Sequence, residues 1–155
     1  DYLYPRLFRP LGINNVSWLE SHEGINTGGW GLFLKTEDLA KMGLMLLQKG
    51  QFNGCQVVPA NWIEAASSAQ VPCVPAGMNS DDADKFRKVA KTSDWLQGYG
   101  YQMWRSRYNS FRADGANGQY ILVIPEKNAV LVTTAHIQDM QAELNLIWKY
   151  IYPAL

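Results

Sequence analysis

Two apolar runs separated by a short turn, within the segment from Phe111 to Ala135, are the feature that most constrains the fold. The first run, Tyr120 to Ile124, leads into Pro125-Glu126-Lys127-Asn128, and the second run extends from Val130 to Thr134. Proline suits the second position of a type I turn, and a short connection of this kind is typical of an antiparallel hairpin. Both runs are apolar at consecutive positions, which indicates strands buried on both faces. The segment therefore predicts a β-hairpin covered by helices.

The composition is that of a globular domain without a dominant charge. The 155 residues include 14 basic and 14 acidic side chains, so the formal net charge is zero. Such a balance creates no field that would attract nucleic acid or an anionic membrane, and we expect neither as a partner. No apolar run approaches the roughly 18 residues that a membrane-spanning helix needs. We therefore expect one hydrophobic core and no membrane span.

No metal or cofactor motif is recognisable, and we expect neither a metal nor a cofactor. Cys55 and Cys73 lack Cys-x-x-Cys spacing and a nearby histidine, so two unlinked thiols are favoured over a disulfide. Asp81, Asp82 and Asp84 resemble half of a calcium-binding loop, but its glycine and its distal glutamate are absent. This acidic cluster is interpreted as a solvated face. The sequence does not indicate a cellular compartment.

The most regular helical pattern follows Thr36, which is a suitable N-cap residue. Apolar residues recur at helical spacing from Leu39 onward, and Lys49 and Gly50 end the helix. A tight turn, Gly50 to Gly54, and a short strand at Val57-Val58 are expected next.

Weaker signals predict three more helices, and within the less ordered stretch from Ser68 to Asp94 the charged segment Asn79 to Lys91 predicts one or two exposed helical turns. The three are Asp1 to Arg9, Pro59 to about Ser67, and a terminal helix from about Asp139 to Pro153.

The second part of the chain predicts four antiparallel strands in sequence order. Gly98 to Trp104 and Tyr108 to Ala113 precede the two runs of the hairpin. The expected class is α+β. We expect one partial domain over residues 1–155, with a mainly helical segment at 1–94 and an antiparallel sheet plus a C-terminal helix at 95–155.

Three stretches resemble one known family. The stretch TGGWGLFLKTEDLAKMGLMLLQKGQFNGCQVVPANWIEAA, residues 27–66, is similar to the segment that follows the catalytic tyrosine in serine hydrolases of the class C β-lactamase and penicillin-binding-protein-like superfamily. GYGYQMW, residues 98–104, and ADGANGQYILVIPEKNAVLVTTA, residues 113–135, resemble its final strands. The resemblance implies the C-terminal part of a β-lactamase/transpeptidase-like fold.

The family's nucleophile motif is absent from this sequence. In that family a Ser-x-x-Lys pair supplies the nucleophile and a base, and a Tyr-x-Asn element supplies a second proton-transfer group. Here no lysine has a serine three residues earlier, and no tyrosine has an asparagine two residues later. Both elements lie N-terminal to the matched region in the family. The resemblance therefore implies that Asp1 begins a C-terminal fragment, inactive alone, whose catalytic Ser, Lys and Tyr lie upstream.

The resemblance assigns the wall of a substrate site to the strand that ends at Gly115. The family's Lys-Thr-Gly triplet corresponds to Ala113-Asp114-Gly115, and the next residue, Ala116, would donate a backbone N–H to the oxyanion hole. Glycine would let a substrate acyl group lie close to the strand. On a regular strand Ala113, Gly115 and Asn117 point one way, and Arg112 and Asp114 the other. The implied catalytic residues are Ala116 and Gly115, and the implied substrate-binding residues are Ala113, Asp114, Asn117, Trp30 and Tyr101.

Alanine at position 113 departs from the pattern of β-lactam-hydrolysing members. Those enzymes usually hold the substrate carboxylate there with a cationic or hydrogen-bonding group, which alanine does not provide. The chain thus resembles the esterase-like and amide-hydrolase branch, including 6-aminohexanoate-dimer hydrolase-like proteins, which implies a small ester or amide substrate. Arg105, Arg107 or Arg112 could replace the missing charge, although arginines beside a turn are usually solvated.

Structural explanations compete with each functional one. Gly115 and Gly118 could relieve a bulge at a sheet edge. Trp30, Tyr101 and Trp104 are interpreted first as core residues. The general-base candidates within the chain are His22 and His136, and neither has a serine and an aspartate at suitable spacing, so both are interpreted as surface or hydrogen-bonded histidines.

Two functions from different classes remain open. The first is an acyl-enzyme serine hydrolase, and the alternative is a non-catalytic penicillin-binding-like module that binds a peptide or a peptidoglycan-like ligand in the same groove. The family's sheet and helical lobe include segments from before the matched region. A homodimer through an exposed sheet edge or apolar face is therefore also expected.

Overall fold

A computed structural model describes residues 2–74 and 77–155 of the chain. The N-terminal part begins with one wide helical turn, Tyr4–Phe8. It continues as β1 (Ser17–Trp18), β2 (Leu32–Phe33), α1 (Thr36–Leu47), β3 (Gln51–Phe52), β4 (Cys55–Gln56), α2 (Ala60–Ser67) and α3 (Ser80–Ala90). The second part comprises β5 (Trp104–Ser106), β6 (Ser110–Gly115), β7 (Gln119–Ile124), β8 (Ala129–Thr134) and α4 (Met140–Leu146), which continues as the helical turns Ile147–Ile151 and Tyr152–Ala154.

The central sheet contains β5, β6, β7 and β8 in that order, and each strand is antiparallel to the next. This arrangement confirms the predicted α+β class and the predicted hairpin. The hairpin turn, Pro125–Lys127, is a tight 3₁₀ turn in which Asn128 N donates to the Pro125 carbonyl at 3.0 Å. Asn128 takes the left-handed conformation, φ 49°, which asparagine tolerates better than most residues.

Helices cover both faces of the sheet, as the consecutive apolar positions predict. On one face Ile121 and Val123 of β7 join a core that contains Met45 and Leu46 of α1. On the other face Tyr120, Leu122 and Ile124 pack in a second core with Leu144, Ile147 and Trp148. All five residues of the run from Tyr120 to Ile124 are buried. β7 is therefore the strand on which both cores meet.

Gly43 lets α1 lie directly against the sheet. A Cβ atom added at Gly43 would lie 2.4 Å from Val130 Cγ1 and 2.8 Å from Ile121 Cγ2, which is closer than carbon atoms can approach. Any side chain at this position would force α1 away from β7 and β8.

We expect Gly43→Leu to lower the free energy of unfolding by about 1–3 kcal/mol, because overpacking a well-filled core displaces its neighbours. Ala40→Leu, at an exposed position of the same helix, should change it by no more than about 0.5 kcal/mol. Urea unfolding monitored by circular dichroism measures both. Equal stability of the two variants would contradict the close packing of α1.

Several predictions of local structure are wrong. Thr36 is not the N-cap but the first residue of α1, and its Oγ1 lies 3.1 Å from Thr134 Oγ1. Val57-Val58 is not a strand, and a small hairpin of β3 and β4 lies just before it. The strand predicted from Gly98 begins only at Trp104, because Tyr99 makes isolated bridges instead.

α3 is longer than the one or two turns predicted for this stretch. Its 11 residues begin after Asn79, whose side chain accepts a hydrogen bond from Asp82 N at 2.9 Å. Exposed ion pairs, Asp82–Lys85 and Asp84–Arg87, lie along its surface. α3 is mostly polar, so its apolar periodicity is weak.

Two further expectations concern covalent links and membranes. Cys55 and Cys73 are both free thiols, as the spacing favours. Within residues 2–74 and 77–155, no helix is long and apolar enough to cross a membrane.

Candidate functional site

A groove of about 510 Å³ lies beside the strand that carries Gly115. One wall is the chain at residues 32–34 together with Leu39 of α1. The other wall is formed by residues 113–115 and 119–121 of β6 and β7, and Thr134 lies at the end of β8. The volume is within the range of ligand pockets. A shallower depression of about 630 Å³ surrounds the β3–β4 hairpin at the other end of α1, away from this strand.

The β6–β7 turn at residues 116–118 adjoins the groove and is built around two left-handed residues. Asn117 has φ 65° and Gly118 has φ 88°. The left-handed φ of Gly118 favours glycine, and an added Cβ there would also lie 2.9 Å from Ile137 Cγ2. The β6–β7 register is continuous from Phe111↔Val123 to Gly115↔Gln119, so the paired part of the two strands, Gly115 included, contains no bulge. Asn117 lies in the turn and not on a regular strand, so its expected alternation with Gly115 is wrong.

Three hydrogen bonds fix this turn to the end of β8 and the residues after it. The Asn117 carbonyl accepts from Ile137 N at 3.1 Å, and the Gly118 carbonyl accepts from Thr133 Oγ1 at 2.9 Å. Gln119 Nε2 donates to the Ala135 carbonyl. Backbone groups held in this way do not need to reorganise when a ligand arrives.

Ala116 is exposed, and its backbone N–H donates to no group in the described parts of the chain. The preceding residue, Gly115, presents no side chain toward a ligand, and a Cβ there would lie 2.9 Å from Gln119 Cβ. A free N–H beside a strand without side-chain bulk is the geometry that binds a carbonyl oxygen or an oxyanion.

The opposite face of β6 contains a buried ion pair. Arg112 is fully buried, and its Nε donates to Asp114 Oδ2 at 2.9 Å. Its Nη1 donates to Ser106 Oγ at 2.6 Å, and its guanidinium lies 4.5 Å from the Trp95 ring centroid. Burial raises the pKa of Asp114 above its ordinary value, and the adjacent Arg112 opposes that rise.

Asp94 is the centre of a second buried polar cluster. Its carboxylate accepts from Arg107 Nε at 3.0 Å and Nη2 at 2.8 Å, from Gln141 Nε2 at 2.8 Å and from Trp148 Nε1 at 2.9 Å. Burial alone would raise the pKa of Asp94, but these donors, Arg107 foremost, hold it below its usual value. The cluster joins the segment before β5 to α4.

None of the three candidate arginines replaces the charge missing at position 113. Arg112 and Arg107 are held in the buried clusters, so the expectation that such arginines are solvated is wrong for Arg112. Arg105 donates to the Ser67 carbonyl at 3.0 Å and to Asn109 Oδ1 at 2.6 Å, and burial lowers its pKa. Each of the three guanidinium groups therefore donates to other parts of the chain.

The structure brings together only some of the residues implied by the resemblance. Ala113, Asp114 and Gly115 line the groove, and Ala116 and Asn117 follow in the turn. Trp30 and Tyr101 do not line it, and they are not core residues either, with 67% and 46% of their surface exposed.

Other contacts hold both aromatic residues. The Trp30 carbonyl accepts from Trp18 Nε1 at 2.9 Å in the loop before β2, whereas the Tyr101 ring stacks on Trp62 of α2. His22 and His136 are both exposed.

Sequence reasoning missed the wall that faces Gly115. Leu39 belongs to the apolar stripe of α1, and nothing in that periodicity distinguishes a groove residue from a core residue. Gln119 directly precedes the first apolar run and Thr134 ends the second, and the two residues face each other in the β7–β8 register. Their position at the same end of the hairpin could therefore be predicted from the sequence.

Comparison with known proteins supports the fold. No protein-family model and no curated protein matches the chain. Among solved structures, "Putative 6-aminohexanoate-dimer hydrolase from Bacillus anthracis" aligns over 99% of this chain and 37% of its own length, with TM-score 0.70 and 18% identity. "Crystal structure of putative beta-lactamase from Bacteroides dorei DSM 17855" aligns over 88% of this chain and 42% of its own, with TM-score 0.62 and 17% identity.

The chain therefore spans less than half the length of either structure. Both structures are similar to this chain along most of its length. The chain belongs to the α+β class because its four-stranded antiparallel sheet lies between α1 and α4. The chain therefore shares the fold of the aligned parts of these two structures.

Proposed function

We propose that this chain forms one wall of the active site of a serine hydrolase that passes through an acyl-enzyme on a small ester or amide. In this proposal Ala116 supplies one backbone donor of the oxyanion hole, and Ala113, Asp114, Gly115 and Asn117 border the bound acyl group. The observation that carries the proposal is that Ala116, an exposed residue, directly follows the groove residue Gly115 and that its backbone N–H has no partner in the described parts of the chain.

The chemistry of acyl transfer explains why this N–H matters. Attack on an ester or amide carbonyl places negative charge on the carbonyl oxygen, and a fixed donor stabilises that charge without having to move. The turn that holds Ala116 is fixed by the hydrogen bonds to Asn117 and Gly118. Gly115 lets the reacting carbonyl approach the strand, since no side chain stands between them.

The nucleophile in this proposal lies in polypeptide that precedes Asp1. The chain contains no Ser-x-x-Lys pair and no Tyr-x-Asn element. The similar structures are more than twice as long as the part that this chain matches, which leaves room for such elements. Residues 1–155 would then form one partial domain, with a helical segment at 1–94 and the sheet and its helix at 95–155.

Labelling of the intact parent protein tests this function. After treatment with a fluorophosphonate or penicillin probe, mass spectrometry should find the adduct on a serine outside residues 1–155. The 155-residue chain alone should hydrolyse p-nitrophenyl esters no faster than buffer does. Robust turnover by this chain, or an adduct on one of its own serines, would overturn the assignment. A parent that binds peptidoglycan-like peptides but takes up neither probe would be the non-catalytic module instead.

We also propose that the chain pairs with a second copy through β8. In the described parts of the chain, β8 pairs only with β7, and its six residues, AVLVTT, include neither charge nor proline. An edge strand of this kind readily adds another strand. Sedimentation velocity should show a species of twice 17.5 kDa whose share grows with concentration. A single 17.5 kDa species at every concentration would contradict the dimer.

A further inference from the structure

The groove beside Gly115 offers no positive charge to a ligand. Among the described residues that line it, at 32–34, 39, 113–115, 119–121 and 134, none is lysine, arginine or histidine. Two lysines of the adjoining segment, Lys35 and Lys41, line a different depression near Gly12. Lys41 Nζ is bound there to Asp38 Oδ1 at 2.7 Å and to the Gly12 carbonyl at 3.0 Å.

The walls of the groove are apolar, and the polar side chains at its end have partners. Leu32, Leu34 and Leu39 stand on one side, and Ala113 and Ile121 stand on the other.

Each polar lining group is already engaged. Thr134 Oγ1 is 3.1 Å from Thr36 Oγ1, and Gln119 donates its amide to a backbone carbonyl. The Asp114 carboxylate is paired with Arg112, whose side chain belongs to the opposite face of β6. The interior therefore has nothing with which to pair an ionic group.

We infer that the acyl group accepted here is an uncharged, apolar chain that packs between Leu39 and Ile121, and that acyl groups with a terminal carboxylate are rejected. This inference rests on the proposed function, because the Ala116 N–H fixes the position of the acyl carbonyl. Moving a carboxylate from water into a site without a partner for its charge costs free energy. A site can therefore discriminate against a charged competitor by offering its charge no partner. Burial of each additional methylene should raise affinity about fourfold.

Three amides that cannot acylate this chain test the inference directly. N-methylhexanamide and the N-methyl monoamide of adipic acid differ only in a terminal methyl or carboxylate, and N-methylbutanamide is two methylenes shorter. Chemical-shift titration of the 155-residue chain by NMR gives the three dissociation constants. We expect N-methylhexanamide to bind at least about tenfold more tightly than either of the others. Equal or tighter binding of the carboxylate, or no binding of N-methylhexanamide, would overturn the inference.

Variants of one helix supply the matched control. Leu39→Lys adds a cation to the groove and should reverse the preference in favour of the adipic monoamide. Leu44→Lys adds the same charge to an exposed position of α1 that does not line the groove, and it should leave the preference unchanged. Ala113→Lys provides the same test from the strand side if Leu39→Lys does not fold. A reversed preference in Leu44→Lys would show a long-range charge effect and overturn the role of the groove.

The outcomes separate this inference from the proposed function. Preference for the neutral amide, with no serine labelled in the parent, would leave the groove specificity standing and overturn the catalytic role. A labelled serine combined with preference for the carboxylate would do the reverse.

Discussion

We expect Asp94→Ala to lower the free energy of unfolding by about 3–5 kcal/mol, enough to leave a marginal domain largely unfolded. The Asp94 side chain is fully buried and accepts five hydrogen bonds, including the one from Arg107 N at 2.9 Å. Its removal leaves the guanidinium of Arg107, only 16% exposed, without its carboxylate. Trp148 Nε1, which is buried beside it, also loses its acceptor.

An exposed ion pair of similar geometry provides the control for Asp94. Asp84 Oδ1 and Arg87 Nη1 are also 2.8 Å apart, but both side chains are mostly exposed on α3. Asp84→Ala should therefore change the free energy of unfolding by less than about 1 kcal/mol. Urea unfolding of both variants makes the comparison. Similar losses in the two variants would contradict the assignment of Asp94 as the buried anchor between the segment before β5 and α4.

The dependence of unfolding free energy on pH provides a second test of the Asp94 carboxylate, because the direction of its pKa shift determines the sign of the change. Because the folded-state pKa of Asp94 lies below its unfolded value, its ionised form stabilises the fold above about pH 4. That contribution is lost as the pH falls from there through the folded-state pKa. Asp94→Asn lacks this component and should lose less stability than the unmutated chain as the pH falls below about 4.

Under the proposed function, proline at position 116 of the parent protein should lower kcat by about 100- to 1,000-fold. Proline removes the backbone N–H that we assign to the oxyanion hole. Ala116 is not among the residues with positive φ, so the backbone there does not exclude proline on that ground. Ala116→Ser keeps the N–H and should retain most of kcat. A proline variant that folds with an unchanged melting temperature and full kcat would remove Ala116 from the mechanism.

The sheet and the two helical layers that cover it could be predicted because the apolar pattern lies in consecutive residues. Tyr120 to Ile124 is apolar at every position, and a strand of this kind can be stable only between two apolar layers. The stripe of α1 supplies one layer, and the terminal helix supplies the other. The limits of short elements could not be predicted in the same way. β5 begins at Trp104 because Tyr99 pairs instead with Val71, a partner distant in sequence.

The site could be predicted only in part, for a related reason. The resemblance placed Ala113, Asp114 and Gly115 on one strand, and the strand's regular pairing keeps them there. The burial of Arg112 depends on contacts with Ser106 and Trp95 that form only when separate segments meet. Its spacing in the sequence is that of any arginine beside a turn. Long-range pairing of charges leaves no periodic pattern.

The crystal structure of the parent's acyl-enzyme is the most direct test of the proposed wall. With a slowly deacylating ester probe bound to the nucleophilic serine, the account predicts that the acyl carbonyl oxygen lies about 2.7–3.1 Å from the Ala116 nitrogen. The acyl chain should extend along the groove toward Leu39. An adduct whose carbonyl oxygen points away from Ala116, with the β6–β7 turn making no contact to it, would contradict the account.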